Sequence, residues 1–297
     1  MGFVLGIPVS ADPAERRTPM VADVATKARA LGATLLIQRG APHRANITEH
    51  DLGEITLVDR AEQVMAGSDV VWMSGPPAPE TLAALRPGTT LIGTLAPYSD
   101  AAWVQALAAG GVNAFAMELL PRISRAQSMD VLSSQGAAAG YQCALIAAAR
   151  TPKFFPMLTY AAGTVRPARV LVIGAGVAGL QAIATAKRLG AIVEGYDVRA
   201  ETREQIESLG AKFVDTGVSA AGTGGYAREL TDEEKAKQAE RLARAVAQCD
   251  ALITTAAIPG RRAPVIITAD MVARMKPGSV VVDMAAETGG NVEGTVA

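Results

Sequence analysis

An apolar run that ends abruptly in glycines constrains this chain more than any other stretch. Residues 169–180 read RVLVIGAGVAGL, and the helix-forming QAIATAKRLG follows directly. A short run rich in Val and Ile fits a strand buried on both faces of a parallel sheet. Strand, then G-x-G-x-x-G, then helix is the order that a dinucleotide fingerprint requires. In that order Gly174 makes the tight turn, Gly176 lets backbone approach a pyrophosphate, and Gly179 lets helix pack on strand. A helix opening at Val177 would aim unpaired N–H groups and partial positive charge at the phosphates. One further strand, IVEGY at 192–196, leads to Asp197. That is the place, about 20 residues on, for an acid that accepts the adenosine ribose hydroxyls. The glycines come with their strand, their helix and their acid.

The rest of the chain repeats the same alternation. Strand patterns at 3–7, 34–37, 55–58, 69–72, 90–93 and 113–117 are separated by helical patterns at 21–31, 61–66, 79–85 and 100–109. Strands alternating with helices of about 10 residues mean βαβ units and a parallel sheet. An Ala-rich helical stretch at 133–149 follows, then the fingerprint, a third strand at 212–214, and strands at 251–255 and 279–283. Thr231-Asp232-Glu233-Glu234 reads as a capping box opening a charged helix to 248. The expected fold is α/β: two Rossmann-like domains with parallel sheets, joined by a long helix, with a cleft between them. The expected boundaries are 1–130 for the first domain, 131–160 for the connecting helix and 161–297 for the nucleotide-binding domain.

Composition narrows the partners. With 297 residues the chain can hold two cores, and 49% hydrophobic against 19% charged residues excludes disorder of the whole. Twenty-eight basic against 29 acidic residues give a net charge of −1, so no nucleic-acid footprint is expected. Cys143 and Cys249 are isolated, which argues for a reducing compartment and no metal site. Mean hydropathy is +0.22, but the longest apolar stretch is the fingerprint itself. The chain reads as soluble and cytoplasmic.

Between the two domains lies PRISRAQSMDVLSSQ (121–135), dense in hydrogen-bonding groups. Arg122, Gln127, Asp130 and Ser133 could serve the donors and acceptors of a carboxamide such as nicotinamide, or simply form a polar surface loop. With VLVIGAGVAGLQAIATAKRLGA (170–191) and AAETGGN (285–291), this stretch closely resembles proton-translocating NAD(P) transhydrogenase, specifically its NAD(H)-binding domain I. The resemblance runs over essentially the whole chain. It implies Arg122, Gln127, Asp130 and Ser133 beside the nicotinamide, and Asp197, Val198 and Arg199 at the adenosine ribose. It further implies a closing loop at GTGGY (222–226) with Gly225 and Tyr226 as contacts, and Ala256 and Ala257 at the strand end passing the nucleotide. It implies NAD(H) as the cofactor, with NADP(H) held by a partner domain III rather than by this chain. A homodimer and a membrane domain II on other chains are implied too, placing the protein at the inner membrane through its partners. The family's chain continues beyond residue 297 and returns to its first domain, so a C-terminal return segment is expected to be missing.

The same architecture is shared with alanine dehydrogenase, which needs a histidine acid/base and cations for a substrate carboxylate. The histidines here, His43 and His50, sit in the polar APHRANITEHDL. Met73 stands where both families usually have a lysine, and Thr94 where alanine dehydrogenase has its histidine. Glu287 stands where that enzyme carries an aspartate, while Arg17 matches an arginine common to both. Without a base, oxidation of an amino acid has little support, whereas hydride transfer between two nicotinamides moves no proton at the reacting carbons. The sequence leaves three readings: a transhydrogenase component, an alanine-dehydrogenase-like oxidoreductase, and a truncated nucleotide-binding module without turnover.

Overall fold

A computed structural model of the chain describes residues 2–99, 101–219, 230–258 and 260–297. The chain divides into two compact units, Met1–Val131 and Leu132–Ala297. The first holds strands β1 (Phe3–Ile7), β2 (Ala33–Gln38), β3 (Thr56–Val58), β4 (Val70–Ser74), β5 (Thr90–Thr94) and β6 (Asn113–Ala116). Helices α1 (Ala22–Ala30), α2 (Ala61–Gly67), α3 (Pro79–Leu82) and α4 (Ala101–Ala109) connect them. All neighbours in the order β3-β2-β1-β4-β5-β6 are parallel. Leu5, Ile7, Leu35 and Ile37 bury against Ala25 and Ala28 of α1, and Val71, Met73 and Leu91 against Met65 of α2 and Leu107 of α4. The sheet is doubly wound, and its order turns back between β1 and β4.

The second unit opens with helix α5 (Val131–Arg150). An antiparallel hairpin, β7 (Leu158–Tyr160) with β8 (Gly163–Val165), follows it and is not visible in the sequence pattern. Then come β9 (Arg169–Ile173), α6 (Val177–Arg188), β10 (Ile192–Tyr196), α7 (Thr202–Ser208) and β11 (Lys212–Phe213). Helix α8 (Asp232–Gln248), β12 (Ala251–Thr254), α9 (Ala269–Ala273) and β13 (Val280–Asp283) complete it. The sheet order is β11-β10-β9-β12-β13, again wholly parallel. The two-residue period of β9 sorts its side chains. Val170 and Val172 meet Ala182, Ile183 and Ala186 of α6 and Ala144 and Ala147 of α5. Leu171 and Ile173 join Leu242 and Val246 of α8 and Met271 of α9. Helices on both faces explain why the strand is a continuous apolar run rather than an alternating one. The two sheets make the fold α/β with two Rossmann-like units.

Helix α8 starts where its capping box predicts: Glu234 N donates to the Thr231 hydroxyl at 3.3 Å, and Thr231 N donates to the Glu234 carboxylate at 2.9 Å. Helix α5 carries a device that sequence pattern alone does not disclose. Gly136 and Gly140, four apart, lie on one face, and this face meets the start of α6. A Cβ on Gly140 would stand 2.0 Å from Ala178 O, whereas one on Gly136 would find its nearest neighbour, Ala178 N, at 3.9 Å. Only a bare glycine at 140 lets the two backbones touch.

Candidate nucleotide site

Every strand of the second sheet points the same way, so the segments after β9, β10, β12 and β13 gather at one edge. The order reverses between β9 and β12, which makes a crevice at their carboxyl ends, the usual ligand site of such sheets. Gly174 turns the chain there with φ +91°, a conformation that L side chains rarely adopt. A side chain at Gly174 would also strike Thr255 Oγ1 at 2.8 Å, and one at Gly179 would lie 1.7 Å from Gly174 O. Both glycines are required by the fold itself. Gly176 differs, because a Cβ there meets nothing within 4 Å. The open side of the turn is therefore at the glycine that the fingerprint reserves for phosphate, and the loop fits a dinucleotide. Leu180 N donates to Gly176 O at 2.9 Å. The N–H groups of Val177, Ala178 and Gly179 thus precede the helical ladder of α6. Val177, 44% exposed, is an apolar side chain standing at this turn.

Asp197 follows β10 and is 8% exposed. Its Oδ2 accepts from Ala175 N at 2.7 Å, which ties the second strand's acid to the glycine turn. Arg199 grips the same carboxylate: its backbone N and Nε donate to Oδ1 at 2.9 Å each, and Nη2 donates to Oδ2 at 2.8 Å. Val198 is half-buried against the core. Tyr196, fully buried, has its phenol pushed above the usual range by that burial, and Gln238 Nε2 donates to its oxygen at 2.7 Å.

Three residues that sequence reasoning missed build the opposite wall. Thr255 Oγ1 donates to Ile173 O at 3.2 Å and Gly174 O at 3.1 Å, clasping β9 to the end of β12. Asn291, wholly buried, donates through Nδ2 to Ala256 O at 2.7 Å and Pro264 O at 2.8 Å, and accepts from Ala256 N at 2.9 Å. Asp283 accepts from Thr254 Oγ1 at 2.9 Å and Ala285 N at 3.1 Å on one oxygen. Its other oxygen accepts from Asn291 N at 2.8 Å, Val292 N at 3.1 Å and Thr295 Oγ1 at 2.7 Å. Asn291 carries the signal that could have found it: it ends the AAETGGN motif. Ala256 is thereby fixed and half-buried, and Ala257 is exposed. Gly225 and Tyr226, with the rest of 222–226, lie outside the described residues.

The four carboxamide candidates occupy a short stretch of chain. Arg122 is exposed ahead of a 3-10 turn, Ser124–Met129, which carries the exposed Gln127. Asp130 closes that turn and is half-buried, and Ser133 lies in the first turn of α5, less than one turn before Gly136. Gly136 in turn approaches Val177 and Ala178, so Ser133 is on the helix end that adjoins the start of α6.

Positions at which an amino-acid oxidoreductase would differ are committed elsewhere in the first unit. Met73 is buried in the α2–α4 core. Thr94 Oγ1 accepts from Gly75 N at 3.2 Å. Arg17 is paired with Glu15 through Nε at 2.8 Å, and this guanidinium holds the Glu15 carboxyl below its usual range. His43 and His50 lie in short 3-10 turns, the His43 side chain 56% exposed. Glu287, in the second unit, is exposed in a 3-10 turn. Among the described residues no cluster of His, Cys, Asp and Glu could hold a metal, and no helix is long and apolar enough to cross a membrane.

Family models for the N-terminal and C-terminal domains of alanine dehydrogenase/PNT match residues 6–139 and 143–297. The chain is 46% identical over 298 residues to an NAD(P) transhydrogenase subunit alpha chain of Rhodospirillum rubrum, covering 97% of this chain and 78% of that one. The chain belongs to the alanine dehydrogenase/PNT family. Another family member, NAD(P) transhydrogenase subunit alpha of Cereibacter sphaeroides, is 41% identical over 98% of this chain and 57% of its own length. A crystal structure of transhydrogenase from Sinorhizobium meliloti superposes with a TM-score of 0.87 at 40% identity, covering 98% of this chain and 81% of that one. On the other branch of the alanine dehydrogenase/PNT family, alanine dehydrogenase of Mycobacterium tuberculosis is 29% identical over 98% of this chain and 74% of its own length. An L-alanine dehydrogenase structure has a TM-score of 0.79 at 24% identity, covering 98% and 76%, and shares the fold.

Proposed function

We propose that this chain is the NAD(H)-binding component of a proton-translocating NAD(P) transhydrogenase. The observation that carries the reading is the fingerprint turn at the sheet's switch point, in a chain 46% identical to a transhydrogenase alpha subunit. In this reading Gly174, Gly176, Val177 and Gly179 receive the pyrophosphate at the start of α6, and Asp197, with Val198 and Arg199, receives the adenosine ribose. Ala256 and Ala257 pass the nucleotide at the end of β12, and Gly225 and Tyr226 close over it. Arg122, Gln127, Asp130 and Ser133 orient the carboxamide and hold the ring face. When bound, the dihydronicotinamide supplies a hydride, which passes to NADP+ on a partner domain III. These residues supply proximity and orientation, which is what a transfer without proton movement at the reacting carbons needs. Two copies of the chain form a dimer, and a membrane domain II on another chain couples the redox step to proton translocation. The protein thus works at the cytoplasmic face of the inner membrane.

The test is hydride exchange. The purified chain is mixed with a domain III carrying NADP+, and reduction of an NAD+ analogue by NADH is followed spectrophotometrically. Exchange that needs both proteins is expected, together with no NADH oxidation by pyruvate and ammonia. NADH binding without any exchange would leave only a nucleotide-binding module, and turnover with pyruvate and ammonia would restore the amino-acid oxidoreductase.

A further inference from the structure

The adenosine end of the site is closed from within. A carboxylate offers about four lone-pair positions, and Asp197 has four protein donors on them: Ala175 N, Arg199 N, Arg199 Nε and Arg199 Nη2, at 2.7–2.9 Å. The pair is buried, with the Arg199 side chain 17% and the Asp197 side chain 8% exposed. Two of these donors are main-chain groups fixed by the glycine turn and by the segment leaving β10. The other two sit at the end of a flexible side chain. A ribose diol needs acceptors for its hydroxyls, and only those held by the Arg199 side chain can be vacated without rearranging the backbone.

We propose that Arg199 is a specificity-determining residue that caps the ribose acceptor in the nucleotide-free chain. On NAD(H) binding its Nε and Nη2 give up their places to the adenosine hydroxyls. The proposal rests on the dinucleotide reading given above. The charge consequence follows from the geometry. While the guanidinium is in place the pair is neutral, and Asp197 does not repel a 2′-phosphate. The repulsion appears only as Arg199 leaves. A ribose with two hydroxyls replaces two donors by two donors. A 2′-phosphorylated ribose brings an anion instead of a donor, which Arg199 can neutralise only by abandoning Asp197. Arg199 therefore weakens the binding of NADH, which must displace it, and assists NADPH, whose phosphate it can meet.

The experiment is equilibrium titration of the whole chain, unmodified and as Arg199→Met, with NADH and separately with NADPH, followed by nucleotide fluorescence. The expected result for Arg199→Met is a Kd for NADH at least threefold lower and a Kd for NADPH at least threefold higher. Arg199→Gln, which keeps one amide donor, should fall between, and it carries the test if the methionine variant melts abnormally. A Kd for NADH that is unchanged or raised in the variants would make Arg199 a prop for Asp197 and overturn the exchange. If the unmodified chain fails to bind NADH, the dinucleotide reading itself falls, and the exchange with it.

Discussion

Adding one methyl group at each of two glycines on the same helix face should have opposite effects. At Gly140 a Cβ would lie 2.0 Å from Ala178 O, 2.8 Å from Ala178 C and 2.9 Å from Ala178 Cα. Ordinary contact needs roughly 3.5 Å, so α5 and α6 must part locally by about 1.5 Å. Overpacking costs about 1–3 kcal/mol, and a clash with backbone rather than a flexible side chain belongs at the upper end. The roughly 0.8–1 kcal/mol that Ala gains over Gly inside a helix offsets some of it. Gly140→Ala should therefore lose about 1–2 kcal/mol, or about 2–8 °C in Tm for a unit of this size. At Gly136 the added Cβ would meet nothing closer than 3.9 Å, so Gly136→Ala should gain about 0.5–1 kcal/mol. Urea denaturation and thermal melting of the two variants beside the unmodified chain make the comparison. Because the intruding methyl presses on the first turn of α6, Gly140→Ala should also raise the Kd for NADH, while Gly136→Ala should not. A Gly140→Ala protein as stable as Gly136→Ala would refute the close approach of the two helices.

Other outcomes follow from buried groups. Burial pushes the Cys249 thiol up to about 12 and raises that of Cys143 as well. Ellman's reagent at pH 8 should therefore label neither thiol in the native chain and both in denaturant, and rapid native labelling would contradict it. Burial raises the Asp250 carboxyl, but the Arg169 N–H, Lys276 and Lys153 outweigh it and hold the group below its usual range. A depressed folded value stabilises the fold above the unfolded pKa of about 3.9 and ceases to do so as pH falls through the folded one. Unfolding free energy should accordingly drop below about pH 4, less steeply in Asp250→Asn, when urea midpoints are compared from pH 3 to pH 6. Asp283→Asn turns an amide toward the donors on one oxygen, and a loss of about 2–3 kcal/mol is expected, with faster proteolysis after β13 as a second readout.

Periodicity made most of the fold legible. The continuous apolar runs at β9 and β12 announced strands covered on both faces, and Thr231 and Glu234 announced the start of α8. What escaped was short or held by distant partners. The β7–β8 hairpin has only three residues a side, too few for two-residue alternation to register. Helix α7 (TREQIES) lacks an apolar stripe of its own beyond Ile206. In the site, the glycines and Asp197 were legible because their spacing is local. Thr255 and Asn291 were not assigned to the wall because their partners stand far along the chain: Thr255 acts on Gly174, and Asn291 on Ala256. Nor could spacing reveal that Asp197 is already saturated, since the side chain filling it, Arg199, lies only two residues away. A charge beside an acid reads as general context until its distances are known.

The two sheets share one winding but use their carboxyl edges differently. In the second unit the edge at the switch point is left open at Gly176, with acceptors and donors of fixed geometry around it. In the first unit the corresponding polar groups are tied into the fold. Glu118 accepts from Leu95 N at 3.2 Å and Ala96 N at 2.5 Å, and so holds Ala96 at φ +47° just past β5. Thr94 bonds Gly75, Met73 is core, and Arg17 is neutralised by Glu15. A reaction that moves a proton needs a base near the operating pH and a cation for a carboxylate substrate, and these groups supply neither. A reaction that only carries a hydride from one nicotinamide to another needs orientation and nothing to titrate. The proposed transfer is thus the chemistry for which the first unit's edge can be built of groups that serve its own folding.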